Sequence, residues 1–170
     1  MIPVLNALAL ALPLTLAAPA AAQAVGPGAE RCAPGGGPAM LVVVTGLRDR
    51  AGTIRVRSFG GDPATWFDKR RYIERKVVPT PRSGPVRICM PVPRPGHYAV
   101  DVRHDANGNG DTDRADGGGA SGNPRISLMD ILFKRKPAAD KVRVTVGQGV
   151  TEVPVTMMYL SGGSFRPVGG

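Results

Sequence analysis

The feature that most constrains this chain is a series of short runs in which apolar and polar residues alternate, each cut off by glycine or proline. Ile54 and Val56 alternate with Arg55 and Arg57. Val86, Ile88 and Met90 alternate with Arg87 and Cys89, and Tyr98, Val100 and Val102 with Ala99, Asp101 and Arg103. Val142, Val144 and Val146 repeat the pattern, as do Val153, Val155, Met157 and Tyr159. Successive side chains of an extended chain point to opposite faces, so each run buries one face and wets the other. Met40–Thr45 is nearly all apolar and suits a buried strand. The connection GLRDRAG, leading into Thr53–Phe59, has hairpin length and turn chemistry. A further short strand fits at Glu74–Val78. Only two stretches could be helical. Pro63–Tyr72 could form a turn or two with Asp62 as its cap, and Ser127–Phe133 is ambiguous between a helical turn and a strand. The pattern predicts one all-β domain, an antiparallel β-sandwich of about seven strands with a long ion-binding-like loop.

The ends of the chain read differently. Residues 1–24 carry no charged side chain, and an apolar stretch runs from Ala7 to Leu16. Ala22-Gln23-Ala24 fits a small-x-small cleavage site, which predicts a signal peptide removed near Ala24. No basic segment precedes the apolar stretch. Pro13, Pro19 and the shortness of the run argue against a membrane span, and no second long apolar run follows. The remainder divides into a Pro/Gly-rich arm (25–39), the sandwich domain (40–160) and a flexible tail (161–170). The chain should therefore be periplasmic or secreted and not transmembrane.

Cys32 lies in the arm, within PGAERCAPGGGP, and Cys89 lies on the outward side of its strand. An even number of cysteines in an exported chain suggests a disulfide; two free thiols are the other reading. Their spacing fits no metal motif. A bond would pin an arm that cannot hold itself in place, with about 4 kcal/mol from chain entropy, lowered by any native strain. The net charge of +9 would attract anionic partners such as an envelope glycan or lipid, or would simply solvate the surface. The basic residues are scattered and accompanied by one Trp and three Tyr, so no nucleic-acid surface is expected.

Residues 105–116 read DANGNGDTDRAD. Asp105, Asn107, Asn109, Asp113 and Asp116 fall at positions 1, 3, 5, 9 and 12 of a twelve-residue calcium loop, and Gly110 falls at the sharp bend of position 6. Asp111 at position 7 would offer its backbone carbonyl. Calcium takes six to eight oxygens, and carboxylates, amides and carbonyls in this order would supply them. Asp116 is one methylene shorter than the usual closing Glu. The flanks exclude an EF-hand, since a strand precedes the loop and Gly117–Gly119 follow it. A bare loop of this kind predicts an affinity on the order of 10⁻⁴–10⁻³ M. The same residues also suit a metal-free turn: Asn-Gly occurs twice, and Asp and Asn cap local backbone groups without any ion. Against this, four of the chain's thirteen acidic residues crowd into the loop, and a cation would relieve their repulsion.

Catalytic readings are weaker. His104 abuts Asp105, but neighbours on a strand face opposite ways, so the pair does not automatically form a base dyad. A polar role closing the core at the loop mouth is the simpler reading for His104. Ser121 and Ser127 lack a nucleophile-elbow context, and no phosphate loop or zinc cluster is present in the sequence. The expectation is a protein without catalysis; the alternatives are an envelope binding module and a cryptic hydrolase centred on His104 and Asp105.

The stretch PVPRPGHYAVDVRHDANGNGDTD resembles the exported bacterial family known as domain of unknown function 2141. Pro95, Gly96, Tyr98, Ala99 and Val100 match that family's strand. His104, Asp105, Asn107, Gly108, Asn109, Gly110 and Asp113 match its His-Asp-x-Asn-Gly-Asn-Gly run. Ser121, Asn123, Pro124 and Val153–Tyr159 resemble later segments. The resemblance covers about Met40 to Leu160 and implies an exported sandwich of immunoglobulin- or transthyretin-like kind. It implies no activity.

Overall fold

The structure is a computed structural model that describes residues 23–168, so the expected signal peptide lies almost wholly outside the described residues. Ten strands and two short helices follow one another: β1 (Ala39–Thr45), β2 (Thr53–Phe59), β3 (Glu74–Pro79), β4 (Val86–Pro91), β5 (Gly96–Asp105), β6 (Gly117–Ala120), α1 (Leu128–Leu132), α2 (Ala139–Val142), β7 (Val144–Val146), β8 (Val150–Thr156), β9 (Met158–Ser161) and β10 (Ser164–Pro167). They form two packed sheets. The smaller has the order β4-β1-β8; the larger runs β10-β9-β6-β5-β2-β3, with β7 paired to the start of β5. The sandwich is the expected one, and its pairings are antiparallel except that β1 and β8 run parallel.

The alternation seen in the sequence is the alternation of burial. Met40, Val42 and Val44 of β1, Ile88 and Met90 of β4, and Val153 and Val155 of β8 form one wall of the core. Ile54, Val56, Tyr98, Val100, Val102, Met157 and Tyr159 form the opposite wall. A second, smaller apolar cluster lies on the outer face of the large sheet, where Phe59, Ala99 and Ala120 pack under Trp66 and Val142. The large sheet is therefore covered on both faces at one end and left with an accessible outer face at the other.

Four segments differ from expectation. Val142, read into one strand with Val144 and Val146, instead ends helix α2, and β7 begins at Val144. Gly117–Ala120, which the sequence pattern assigns to no strand, is strand β6 between β5 and β9. Within the tail expected over 161–170, Ser164–Pro167 form the edge strand of the β9–β10 hairpin, in the register Leu160 to Phe165; residues 169–170 lie outside the described residues. Cys89 points away from the inter-sheet core but is fully buried, because the arm lies over it: Val25 bridges to Ile88, and Cys32 is bonded to Cys89. The ambiguous Ser127–Phe133 stretch is helical. Ser127 caps α1, accepting from the Asp130 N–H while its own N–H donates to the Asp130 carboxylate.

Candidate functional site

Strand β5 sets the site because its last two residues face opposite ways. His104 points inward and is fully buried. Its Nδ1 lies 2.6 Å from Tyr159 Oη and its Nε2 lies 2.9 Å from the Ala51 carbonyl oxygen. A carbonyl can only accept, so Nε2 carries the proton and Nδ1 accepts from the tyrosine hydroxyl. Tyr159 Oη in turn accepts the Arg48 N–H at 3.2 Å. The histidine thus closes the core at the loop mouth, as the simpler sequence reading has it, and neither ring nitrogen is bonded to Asp105. Burial raises the Tyr159 pKa above the usual tyrosine value.

Asp105 faces outward at the base of the loop and is 4% exposed. Its Oδ2 accepts the Gly110 N–H at 2.9 Å and the Arg103 Nη2 at 3.2 Å. Its Oδ1 is buried and has no hydrogen-bond partner. Gly110 has φ of 83°, the left-handed turn that glycine permits without cost. Beyond it the Asn107 and Asn109 amides both donate to Asp113 Oδ2, at 2.7 and 2.9 Å. The Asn107 bond first, then the Ala115 N–H donated to Asp113 Oδ1 and the Asn109 bond, hold the exposed Asp113 carboxyl below the usual aspartate range. Asp116 is buried and accepts the Ala106 and Asp113 N–H groups. Asp111 is exposed, and its N–H donates to Asn109 Oδ1.

Five of the six expected ligand residues are therefore drawn into one hydrogen-bonded loop by their side chains, and Asp111 joins it through its backbone. Among the described residues, no three His, Cys, Asp or Glu side chains converge as a metal cage. An ion here would need the asparagine amides and backbone carbonyls as well as carboxylates. Two arginines lend the loop positive charge: Arg103, which bonds Asp105, Gly110 O at 2.8 Å and Thr112 Oγ1 at 3.0 Å, and Arg48, whose Nη2 donates to Ala115 O.

Sequence reasoning missed a cleft of about 560 Å³ beside the loop, on the outer face of the large sheet. Its floor includes Arg55, Arg103, Gly118 and Met158, and its roof is the segment carrying Ile126, Leu128 and Ile131. The available signal was the apolar run in Ser127–Phe133, which no strand or core alternation absorbs. Arg57 takes the Asp101 carboxylate through both Nε and Nη2. Arg55 is left 3.8 Å from Asp101 with its buried Nε unbonded. Burial, then the neighbouring cations Arg57, Arg103 and Arg75, lower its pKa despite the opposing pull of Asp101.

A family model described as "Uncharacterized protein conserved in bacteria (DUF2141)" matches residues 42–154. The chain belongs to this family. No curated protein and no solved structure matches it. The DUF2141 match runs from β1 into β8 and so contains the whole loop and the cleft's cationic end. Met158, Leu160 and Phe165, at the cleft's apolar end, lie beyond the matched residues.

Proposed function

We propose that this protein is an exported, non-catalytic β-sandwich module that binds one calcium ion in the loop 105–116. The observation that carries this reading is the Asp105 carboxylate, whose Oδ1 is buried at the first loop position without a partner. A bare carboxylate oxygen in that place is costly, and a hard cation is the partner that its charge and the loop spacing suit. The Gly110 N–H fixes the other oxygen, so the carboxylate is held in one orientation. Asn107, Asn109 and Asp113 already meet around one point; with calcium bound, the amides would turn their Oδ1 atoms to the ion in place of their Nδ2 atoms. Arg103 would then share Asp105 with the ion, which favours modest affinity.

Export is supported by the uncharged apolar start and by the disulfide, which belongs to oxidising compartments. Among the described residues no helix is long and apolar enough to cross a membrane. The absence of catalysis is supported by His104, whose two nitrogens are both committed to structural bonds.

Thermal unfolding under a calcium titration tests the metal reading. The parent should gain stability along a one-site curve, by about 2.7 kcal/mol at 100 times Kd, with Kd in the millimolar range or just below. Asp105→Asn keeps an acceptor for Gly110 but removes the charge, and it should lose most of that gain. A parent indifferent to 10 or more millimolar calcium (~10 mM), or an Asp105→Asn variant stabilised as strongly as the parent, would sink the reading.

A further inference from the structure

We propose that the cleft on the outer face of the large sheet binds a single-chain aliphatic anion, a free fatty acid in chemical class, with its carboxylate at Arg55 and Arg103 and its chain lying across Gly118. The reading does not rest on calcium.

The register of the sheet carries the argument. Arg55 of β2 lies opposite Arg103 of β5, Arg103 opposite Gly118 of β6, and Gly118 opposite Met158 of β9. Two strand positions further along, Leu160 faces Phe165 across the β9–β10 hairpin. One row across a single face thus passes from two guanidinium groups, over a residue with no side chain, to an apolar end. A Cβ built on Gly118 meets nothing within 4 Å, so the gap in the row is open space. Ile126, Leu128 and Ile131 line that space from the other side, with Leu128 and Ile131 left exposed to solvent. The result is a slot polar at one end and apolar along its length.

Charge decides what the polar end takes. Arg55 and Arg103 each keep a buried Nε–H with no acceptor. The acids lining the cleft have partners within the protein: Asp101 is held by Arg57, Asp113 by Asn107 and Asn109, and Asp116 by backbone N–H groups. Among the side chains that line the cleft, the unmet groups at this end are donors on cations, and a carboxylate of two oxygens suits them; the unpartnered Asp105 Oδ1 lies outside the lining. A sugar would leave its hydroxyls facing methyl groups and glycine, which offer no hydrogen bonds. At about 560 Å³ the cleft has the volume of a small-molecule site rather than of a peptide groove.

The test is calorimetric titration with monomeric dodecanoate, in EDTA so that calcium does not precipitate the soap. Dodecyltrimethylammonium is the control of opposite charge. The expected result is one dodecanoate per protein and no comparable uptake of the ammonium amphiphile. Gly118→Leu fills the slot from its floor without a backbone clash; it should keep the thermal midpoint and weaken dodecanoate by about tenfold or more. Arg55→Met should weaken dodecanoate by roughly tenfold and reduce its advantage over dodecanol. Three results would overturn the proposal. One is Gly118→Leu binding as well as the parent. Another is equal binding of both amphiphiles. The third is association with anionic vesicles but not with monomeric dodecanoate, which would transfer the role to the exposed Met129, Leu132 and Phe133 beside Lys134. Each can occur whether or not the loop takes calcium, so the two readings fail separately.

Discussion

Tyr159 Oη accepts the Arg48 N–H and donates to His104 Nδ1, so one hydroxyl satisfies two polar groups at the buried end of the sandwich. Tyr159→Phe keeps the ring, its edge-on contact with His104 and its place under the Arg48 guanidinium. It removes only the oxygen, and leaves His104 Nδ1 without a donor in a fully buried site. The expected cost is about 1–3 kcal/mol in urea unfolding, the penalty of an orphaned buried polar group. The same pair predicts a pH effect with a definite sign. Folding raises the Tyr159 pKa, so the folded chain holds that proton where the unfolded chain has begun to release it. This contribution is complete below the unfolded value of about 10 and is lost as pH rises through the higher folded value. The stability gap between parent and Tyr159→Phe should therefore be constant near neutrality and narrow above about pH 10. A gap that widens with alkali would contradict the upward shift that burial gives the Tyr159 pKa.

Two adjacent glycines of β6 separate structural from binding roles. A Cβ on Gly117 would stand 2.5 Å from Tyr159 Cε1 and 2.6 Å from its Cζ, whereas one on Gly118 meets nothing. Gly117→Ala should cost about 1–3 kcal/mol by forcing the tyrosine off its bond to His104. Gly118→Ala should be within about 0.5 kcal/mol of the parent, as exposed changes usually are. Denaturant midpoints of the two variants check the contrast; equal costs would mean that the two faces of β6 have been confused. The same strand shows where sequence reading stops. Alternation located β2, β4, β5 and β8 because their side chains record which face is buried, and a continuous apolar run located β1. Three glycines record nothing: Gly117–Gly119 become a strand because β5 offers a free edge that β6 and β9 can extend. The loop was legible for the opposite reason, since its bonds join residues no more than about a dozen positions apart and their spacing is itself the signal. The cleft was not, because its floor is assembled by register from β2, β5, β6, β9 and β10, and no local window contains it.

At the scale of the whole molecule, the arm and the sandwich are joined chiefly by one covalent bond. Cys32 and Cys89 are 57 residues apart in sequence. The arm adds a backbone bond from Val25 to Arg87 O at 2.7 Å, and Lys76 Nζ donates to Pro27 O and, at 2.7 Å, to Cys89 O. Burial lowers the Lys76 pKa, so its ammonium is partly desolvated and contributes less than its contacts suggest. The disulfide should then dominate, acting on the unfolded chain: closing a loop of that length removes entropy equivalent to about 4 kcal/mol. Replacing both cysteines, Cys32→Ala with Cys89→Ala, avoids burying a thiol or hydroxyl at a fully covered position. The double variant should lose about 3–4 kcal/mol and some 10 °C in thermal midpoint, with the sandwich still folding cooperatively. Because the effect lies in the unfolded ensemble, the guanidinium m-value should rise as the chain expands further without the cross-link. A loss of less than about 1 kcal/mol with an unchanged m-value would assign the arm's attachment to Val25 and Lys76 instead. The two measurements together decide the point, since contacts broken in the folded state lower the midpoint without requiring a steeper denaturant slope.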